Sequence, residues 1–427
     1  MTTREAKRAV DAIWRIESAK VVATLARFAG DFVLGEDLAQ DALVAALEQW
    51  PRTGTPEKPG AWLVTVGKRR YVDSLRRRSA LEARHDALAR EFALQHASLE
   101  ADGTPFGEEI ADGVLRLIFI SAHPLLSSDA RVALTLRVVA GLHTDEIAHA
   151  FLVPEATVAQ RIVRAKRTLS EAKVPFTAPA PHELEERLES VLDVIYLVFN
   201  EGYVATSGAG WTRPELCHEA LRLGRSLAEL LREESEVHGL VALMELQASR
   251  LSSRVDEGGE AVLLGHQNRS RWDRLLIRRG LASLERGAAL GRGLGRFGLQ
   301  AAIAACHAQA ENFDQTNWVR IAALYDALAQ IAPSPIVDLN RAVGLSMAYG
   351  PDVGLEAVRA LESDPFLSDH HLLAAARADL YARLGRRAEA RREFARAASL
   401  TRNEKERDLM ARRAAELDDG DDSRGRY

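Results

Sequence analysis

Cysteine is scarce in this sequence, with Cys217 and Cys306 the only two among 427 residues. With only these two cysteines, the sequence predicts no disulfide framework and no cysteine metal site. The sequence also lacks a signal peptide and any apolar run of about 20 residues, the length that a membrane-spanning helix needs. We therefore expect a protein of the reducing cytoplasm with no membrane partner.

Strong charge of one sign is also absent, since the formal net charge is −5 at pH 7. Residues 1–180 hold 24 Lys+Arg against 23 Asp+Glu, which leaves 32 against 38 for residues 181–427. Neither part can bind nucleic acid through bulk positive charge. Any DNA binding must come from local basic patches.

The alternating apolar pattern of β-strands is missing too. Ala, Leu, Arg and Glu dominate, and apolar residues recur at helical spacing along almost the whole chain. The sequence therefore predicts an all-α fold. Its length suffices for two or three domains, each with its own core.

The most informative stretch covers residues 132–169, where two short helices meet at a tight corner. Thr144 is a suitable N-cap for the first helix, and Pro154 suits the first turn of the second. The second helix then carries an apolar stripe at Val158, Ile162 and Leu169. This pattern is typical of a helix-turn-helix, whose second helix enters the DNA major groove. A basic helical hairpin without a DNA role fits the same spacing.

Two helices of opposite charge precede this motif. Residues 37–50 form an amphipathic helix whose acidic side chains lie mainly away from its apolar face, and residues 51–59 form a loop. Residues 60–78 form a basic helix of the kind that lies along a phosphate backbone. An amphipathic core helix with a solvated end has the same composition.

Two linkers and a repeat-like region complete the chain. Residues 81–112 are rich in acidic side chains, and residues 174–181 are rich in proline. Later segments turn at Gly350 and Gly385 between pairs of short helices, which is typical of helical-hairpin repeats such as the tetratricopeptide (TPR). Residues 418–427 form a polar tail.

The order of these segments resembles that of bacterial RNA polymerase sigma factors of the extracytoplasmic-function (ECF) type. DLAQDALVAALEQW resembles the polymerase-binding helix of sigma region two, and AWLVTVGKRRYVDSLRRR resembles its promoter −10 helix. The helix-turn-helix resembles region four, which reads the −35 element. The remainder, with cues such as VLDVIYLVFNEGY and RSRWD, resembles the TPR-like C-terminal extension of one ECF group. The implied segments are region two at 1–80, an acidic linker at 81–112, region four at 113–173, a proline-rich linker at 174–181, the extension at 182–417 and a tail at 418–427.

The resemblance also implies which side chains act. Residues that would contact the clamp helices of the polymerase's largest subunit are Asp37, Gln40, Asp41 and Glu48. Residues that would bind melted −10 DNA are Arg52, Lys58, Trp62, Lys68, Arg69, Arg70, Arg76 and Arg77, although Trp62 fits a core position as well. Residues that would contact the −35 duplex are Thr157, Gln160, Arg161, Arg164, Lys166 and Arg167. Region four would also meet the flap of the second-largest subunit.

The function that the resemblance implies is promoter-specific initiation, with binding of core RNA polymerase, recognition of both promoter elements and help in melting the duplex. We expect the extension to regulate this activity through a protein partner or a ligand. The alternative is a helix-turn-helix transcriptional regulator with a TPR-like sensor domain, which would have no reason to carry the region-two pattern. A helical scaffold protein would leave the basic helix unexplained.

No enzyme, cofactor or metal is expected. The sequence nowhere combines the signals of a nucleophile, a base and a pocket. Its adjacent histidines, His370 and His371, and the pair His143 and His149 lack acidic or cysteine partners at ligand spacing.

Two segments leave alternatives open. The acidic linker either imitates the charge of nascent RNA in the polymerase channel or is a solvated tether. The polar group Asn200–Tyr203 contacts region two or four, binds a ligand, or ends its helix with Gly202 in the left-handed conformation.

Overall fold

The computed structural model describes residues 3–81, 106–151, 153–180, 182–203, 213–256, 262–401 and 404–417. These residues contain eighteen α-helices, three short 3-10 turns and no β-strand, so the predicted all-α class is confirmed. The chain divides into two compact units, residues 1–197 and 198–427. Each unit is described by itself.

The first unit is built from seven helices and the start of an eighth. They are α1 (Thr3–Ala29), α2 (Phe32–Thr53), α3 (Pro59–Leu81), α4 (Phe106–Ser121), α5 (Ser128–Val138), α6 (Thr144–Phe151), α7 (Glu155–Glu171) and α8 (Leu184–Tyr203), whose last residues belong to the second unit.

Helices α1, α2 and α3 pack around a shared apolar core. Trp14, Trp50 and Leu63, one from each helix, are each only 1% exposed. Helices α1 and α2 cross so closely that a Cβ on Gly35 would lie 2.2 Å from the Cα of Ala26. Only glycine fits at this crossing, which fixes the distance between the two helices.

Helices α5, α6 and α7 form the predicted helix-turn-helix and its support. Val158, Ile162 and Leu169 are buried, as their spacing predicts. The corner is closed by the Val153 amide, which donates to the carbonyl of Ala148 at 3.1 Å. Thr144 is the first residue of α6 rather than its cap, and the Glu146 carboxylate accepts from the His143 amide at 2.8 Å instead. A carboxylate at this position satisfies a free amide at the helix start.

Two predicted boundaries differ from the structure. Helix α2 runs through Pro51 to Thr53, so the loop covers only residues 54–58. A proline so near a helix end removes one backbone bond, and Gly54, at φ +83°, then ends the helix by donating to the carbonyl of Trp50. Helix α4 begins at Phe106, so the last seven residues of the predicted acidic linker are helical. Residues 82–105 lie outside the described part.

The second unit continues with ten further helices. They are α9 (Pro214–Leu230), α10 (Ser235–Ala248), α11 (Arg274–Ala289), α12 (Arg296–Gln309), α13 (Trp318–Ile331), α14 (Pro335–Tyr349), α15 (Pro351–Arg359), α16 (His371–Arg383), α17 (Arg387–Leu400) and α18 (Glu404–Glu416). The 3-10 turns Leu251–Ser253, Leu264–His266 and Arg269–Arg271 connect α10 to α11.

Antiparallel hairpins form the last part of this unit. Gly350 at φ +107° separates α14 from α15, and Gly385 at φ +75° lies between α16 and α17, as predicted. Leu339, Val358 and Leu380 belong to one core cluster that these helices share. The assignment to TPR-like repeats stays a prediction, and the predicted tail at 418–427 lies outside the described residues.

Candidate nucleic-acid interface

The second helix of the helix-turn-helix presents one polar face. Gln160 and Arg161 follow Thr157 by three and four residues, and Arg164 follows these two by four and three, so the structure brings the four together on α7. Gln160 and Arg164 are exposed. Arg161 is half-buried and pairs with Asp129 of α5 at 2.6 Å. Amide and guanidinium groups of this kind can read base edges in the major groove.

Lys166 does not lie on this face. Its ammonium contacts the carboxylate of Glu36, which is only 2% exposed, and lies 3.0 Å from Asp37. Burial alone would lower the pKa of Lys166, but the charge of Glu36 and its hydrogen bonds to Glu36 and Asp37 raise it above its usual value. In this structure Lys166 is therefore charged and joins α7 to α2.

Arg167 points away from this junction. It is exposed and pairs with Glu171 one turn later at 2.7 Å. An exposed pair of this kind contributes little to stability and leaves the guanidinium free to exchange partners.

Helix α5 makes a second connection to α2. Arg137 donates to the side-chain oxygen of Gln40 at 2.7 Å and to the carbonyl of Leu142 at 3.1 Å. Burial lowers the pKa of Arg137, and the charge of Glu36 partly offsets that effect. The helix-turn-helix and α2 are thus joined by hydrogen-bonded charges within one unit.

Contacts to α1 complete this junction. Arg15 pairs with Glu146, and His143 Nε2 lies 3.4 Å from Asp11. A Cβ on Gly141, whose φ is +71°, would lie 2.5 Å from the Ser18 hydroxyl. The loop before α6 therefore packs tightly on α1.

The four residues predicted to contact polymerase share one side of α2. Asp37, Asp41 and Glu48 are exposed, and Gln40 is half-buried beneath Arg137. Asp41 also pairs with Arg70 at 3.2 Å. Sequence reasoning missed Glu36, the buried carboxylate next to this face. Its signal was a charged residue whose helical neighbours one turn earlier, Phe32 and Val33, are apolar.

Helix α3 spreads its basic residues over two sides. Arg69 and Arg76 are exposed and lie seven residues apart, on the same side of the helix. Lys68 is half-buried with its ammonium 5.2 Å from the ring centre of Phe28, a cation–π distance. Arg70 faces Asp41, as described above. The side chain of Arg77 lies outside the described part.

The turn between α2 and α3 carries the remaining predicted residues. Arg52 lies in the last turn of α2 and Lys58 directly precedes α3, and both are exposed. Trp62 is half-buried and meets the buried Trp50 edge-on, with ring centres 5.4 Å apart. It therefore combines a core contact with a partly accessible surface, and its amide donates to the carbonyl of Lys58 at 3.1 Å.

Among the described residues, no group of three or more His, Cys, Asp and Glu side chains could hold a metal ion. None of the helices in this same part of the chain is long and apolar enough to cross a membrane.

Comparison with known families agrees with this geometry. The family of sigma-70 region 2 matches residues 15–81, and that of sigma-70 region 4 matches residues 116–169. A family of unknown function, DUF6596, matches residues 187–288. The chain therefore carries sigma-70 regions 2 and 4, followed by a C-terminal part that a family of unknown function matches in part.

One relative matches almost the whole chain. The chain is 41% identical over 396 residues to an uncharacterized protein of Rhizobium meliloti, covering 91% of this chain and 90% of that protein, and the chain belongs to the same family. It is similar at 26% identity to the probable ECF RNA polymerase sigma factor SigI of Mycobacterium tuberculosis, over 42% of this chain and 60% of that one. It is equally similar to the RNA polymerase sigma-H factor of Pseudomonas aeruginosa, over 41% of this chain and 91% of that factor. No solved structure matches the chain.

Proposed function

We propose that this protein binds core RNA polymerase and directs it to promoters through both a −10 and a −35 element. The observation that carries the proposal is the pairing, within one unit, of an acidic face on α2 and a polar face on the helix-turn-helix. Asp37, Asp41 and Glu48 would orient the clamp helices of the largest polymerase subunit through charge complementarity. The helix-turn-helix domain would meet the flap of the second-largest subunit.

Promoter recognition would divide between two surfaces. Gln160 and Arg164 on α7 would contact base edges of duplex −35 DNA, where an exposed fork of donors is needed. Arg69 and Arg76 on α3 would hold phosphates of the −10 region. Arg52, Lys58 and Trp62 would receive a base from the melted strand, since an unstacked base is bound by an aromatic surface flanked by cations.

Polymerase docking would require the two parts of the first unit to separate. Lys166 and Arg137 contact Asp37 and Gln40, two of the residues assigned to the clamp contact. The same side chain cannot pair with Lys166 and with a basic group of the polymerase at full strength. The described arrangement would thus be a resting form, from which region four moves away when polymerase binds.

The test is run-off transcription with bacterial core polymerase and the promoter of the protein's own operon. The full chain is compared with a version ending at Leu197, the last residue of the first unit. A shorter version ending near Ala178 would remove Ser190 and Arg187, which bond to the carbonyls of Ala122 and Phe119. The version that ends at Leu197 keeps these contacts.

Transcripts that core polymerase makes with the full chain, and does not make alone, would support the proposal. The activity of the truncated version relative to the full chain would give the sign of the extension's effect. Equal activity and equal regulation of both versions would refute a regulatory role of the extension. Sequence-specific DNA binding without polymerase binding would instead favour a transcriptional regulator.

A further inference from the structure

A cationic cluster lies in the extension, at the end of α8. Tyr203, the last residue of α8, is 7% exposed, and its hydroxyl accepts a hydrogen bond from Arg250. The guanidinium carbon of Arg254 lies 4.0 Å from the centre of the same ring. Arg250 also lies 5.7 Å from the ring centre of Trp272. Two guanidinium groups thus converge on one tyrosine.

The polar residues at 200–203 end α8 where it packs closely against α9. Gly202 is helical, so the predicted left-handed cap is wrong. A Cβ on Gly202 would lie 2.7 Å from the amide of Cys217, and its carbonyl accepts from the Arg213 amide at 2.7 Å. The glycine therefore lets α9 approach α8 closely, which leaves the tyrosine fixed in position.

Neither arginine of the cluster has an acidic partner. Two other half-buried arginines of the extension do pair with carboxylates, Arg213 with Glu201 and Arg225 with Glu245. No such pair forms at Arg250 or Arg254 among the described residues of the extension. The Nε donor of Arg254 is buried and has no acceptor. The cluster therefore has surplus positive charge and an unused donor.

Arg269 adds to this charge, but both of its terminal nitrogens already have acceptors. It is 6% exposed and donates to the carbonyls of His307 and Ala310 at 2.6 and 2.9 Å and to Thr316 at 3.1 Å. These acceptors lie at and beyond the C-terminal end of α12, where a cation is favoured. Arg269 is thus a structural residue, and the donors left for a ligand are those of Arg250 and Arg254.

The electrostatic consequences are visible at neighbouring groups. Burial and then the charges of Arg250 and Arg269 lower the pKa of His307 to about 4. Burial would raise the pKa of the Tyr203 hydroxyl, but Arg250 and Arg254 outweigh it and lower that pKa. Each effect has the sign expected of a site with a positive potential, and that potential would be relieved by an anion.

We propose that Tyr203, Arg250 and Arg254 form a binding site for an oxyanion, a carboxylate or a phosphate group. A guanidinium stacked on an aromatic ring is held in one orientation and keeps its edge available for a two-oxygen contact. The phenol between the two arginines aligns them. The anion would come either from a small molecule or from an acidic side chain of a peptide segment, which the same donors would bind.

The test is isothermal titration of the full chain with inorganic phosphate and, separately, with a peptide of six glutamates. Arg254→Gln removes the stacked cation, Arg254→Lys keeps the charge but not the fork, and Arg271→Gln is the control, since Arg271 is exposed in the same connecting segment. Circular dichroism shows whether each variant is folded. The measurement needs no polymerase, so it is independent of the proposed function.

We expect at least one probe to bind, about tenfold or more weaker in Arg254→Gln, with Arg254→Lys in between and Arg271→Gln unchanged. Phosphate binding alone assigns the site to a small anion, and peptide binding alone assigns it to an acidic segment. The proposal is overturned if neither probe binds, or if folded Arg254→Gln or Arg254→Lys binds as well as the unmodified chain.

Discussion

Replacing Lys166 by methionine removes the cation that joins α7 to α2 while keeping most of the side chain's length. The Glu36 carboxylate, 2% exposed, then loses its closest opposite charge. Removing one partner of a buried ion pair typically costs about 3–5 kcal/mol. Lys166 keeps 19% of its side chain exposed, and Arg137 remains near Glu36, so we expect about 2 kcal/mol.

The assay is hydrogen exchange of peptides from α2 and α7 in the full chain. A loss of about 2 kcal/mol speeds exchange that occurs through separation of these helices by roughly 30-fold. Arg167→Met is the matched control, because that neighbouring arginine is exposed and pairs only within its own helix. We expect its exchange to stay near that of the unmodified chain.

A double variant separates loss of the pair from loss of packing. Glu36→Gln with Lys166→Met removes both charges, and we expect it to recover part of the protection that Lys166→Met loses. If Lys166→Met exchanges no faster than Arg167→Met, the contact of Lys166 with Glu36 does not hold α7 to α2, and the reasoning is refuted. Binding to core polymerase without DNA should be tighter for Lys166→Met, since Asp37 is then released.

Three other predictions follow from single sites. Arg164→Ala should reduce transcription from a −35-dependent promoter by a factor that corresponds to about 1–3 kcal/mol, while Arg167→Ala has a smaller effect in the same run-off assay. Gly35→Ala should lower the melting temperature of the first unit, since overpacking at a close helix crossing costs about 1–3 kcal/mol, as scanning calorimetry can measure. The His307 pKa of about 4 lies below the ordinary 6.5 of histidine. As pH falls from about 6.5 to about 4, the unfolded chain binds the proton before the folded chain does, so the free energy of unfolding of the extension falls by up to about 3 kcal/mol. Urea unfolding followed by tryptophan fluorescence, to which Trp318 beside His307 contributes, should show this dependence on pH in the unmodified chain and a weaker one in His307→Leu. Equal dependence in both would contradict it.

Local patterns predicted much of the fold. Helix positions, the buried stripe of α7 and the corners at Gly350 and Gly385 depend on neighbours three to four residues away, and the structure agrees with them. The predicted helix boundaries were wrong where they depended on a single residue. Pro51 does not end its helix, which continues to Thr53 and ends at Gly54 instead.

The junction between α7 and α2 could not be predicted from sequence. Lys166 and Glu36 are 130 positions apart, and nothing local indicates that one basic residue of α7 turns inward while Arg164 stays exposed. The same holds for Arg250 and Arg254, whose convergence on Tyr203 depends on how α8 and the segment after α10 approach each other. Such contacts arise from tertiary packing.

Under the proposed function, the contacts that join α2 to α5 and α7 also determine which fraction of the molecules is in the open form that can bind polymerase. A protein whose binding-competent form is a minor state has an apparent affinity reduced by the fraction in that form. A difference of about 2.7 kcal/mol leaves roughly 1% of the molecules open, and polymerase would then bind about 100-fold more weakly than the open form allows. If the protein acts as proposed, anything that shifts this equilibrium, from ionic strength to a ligand, would change promoter use without a contact to either proposed DNA-binding surface.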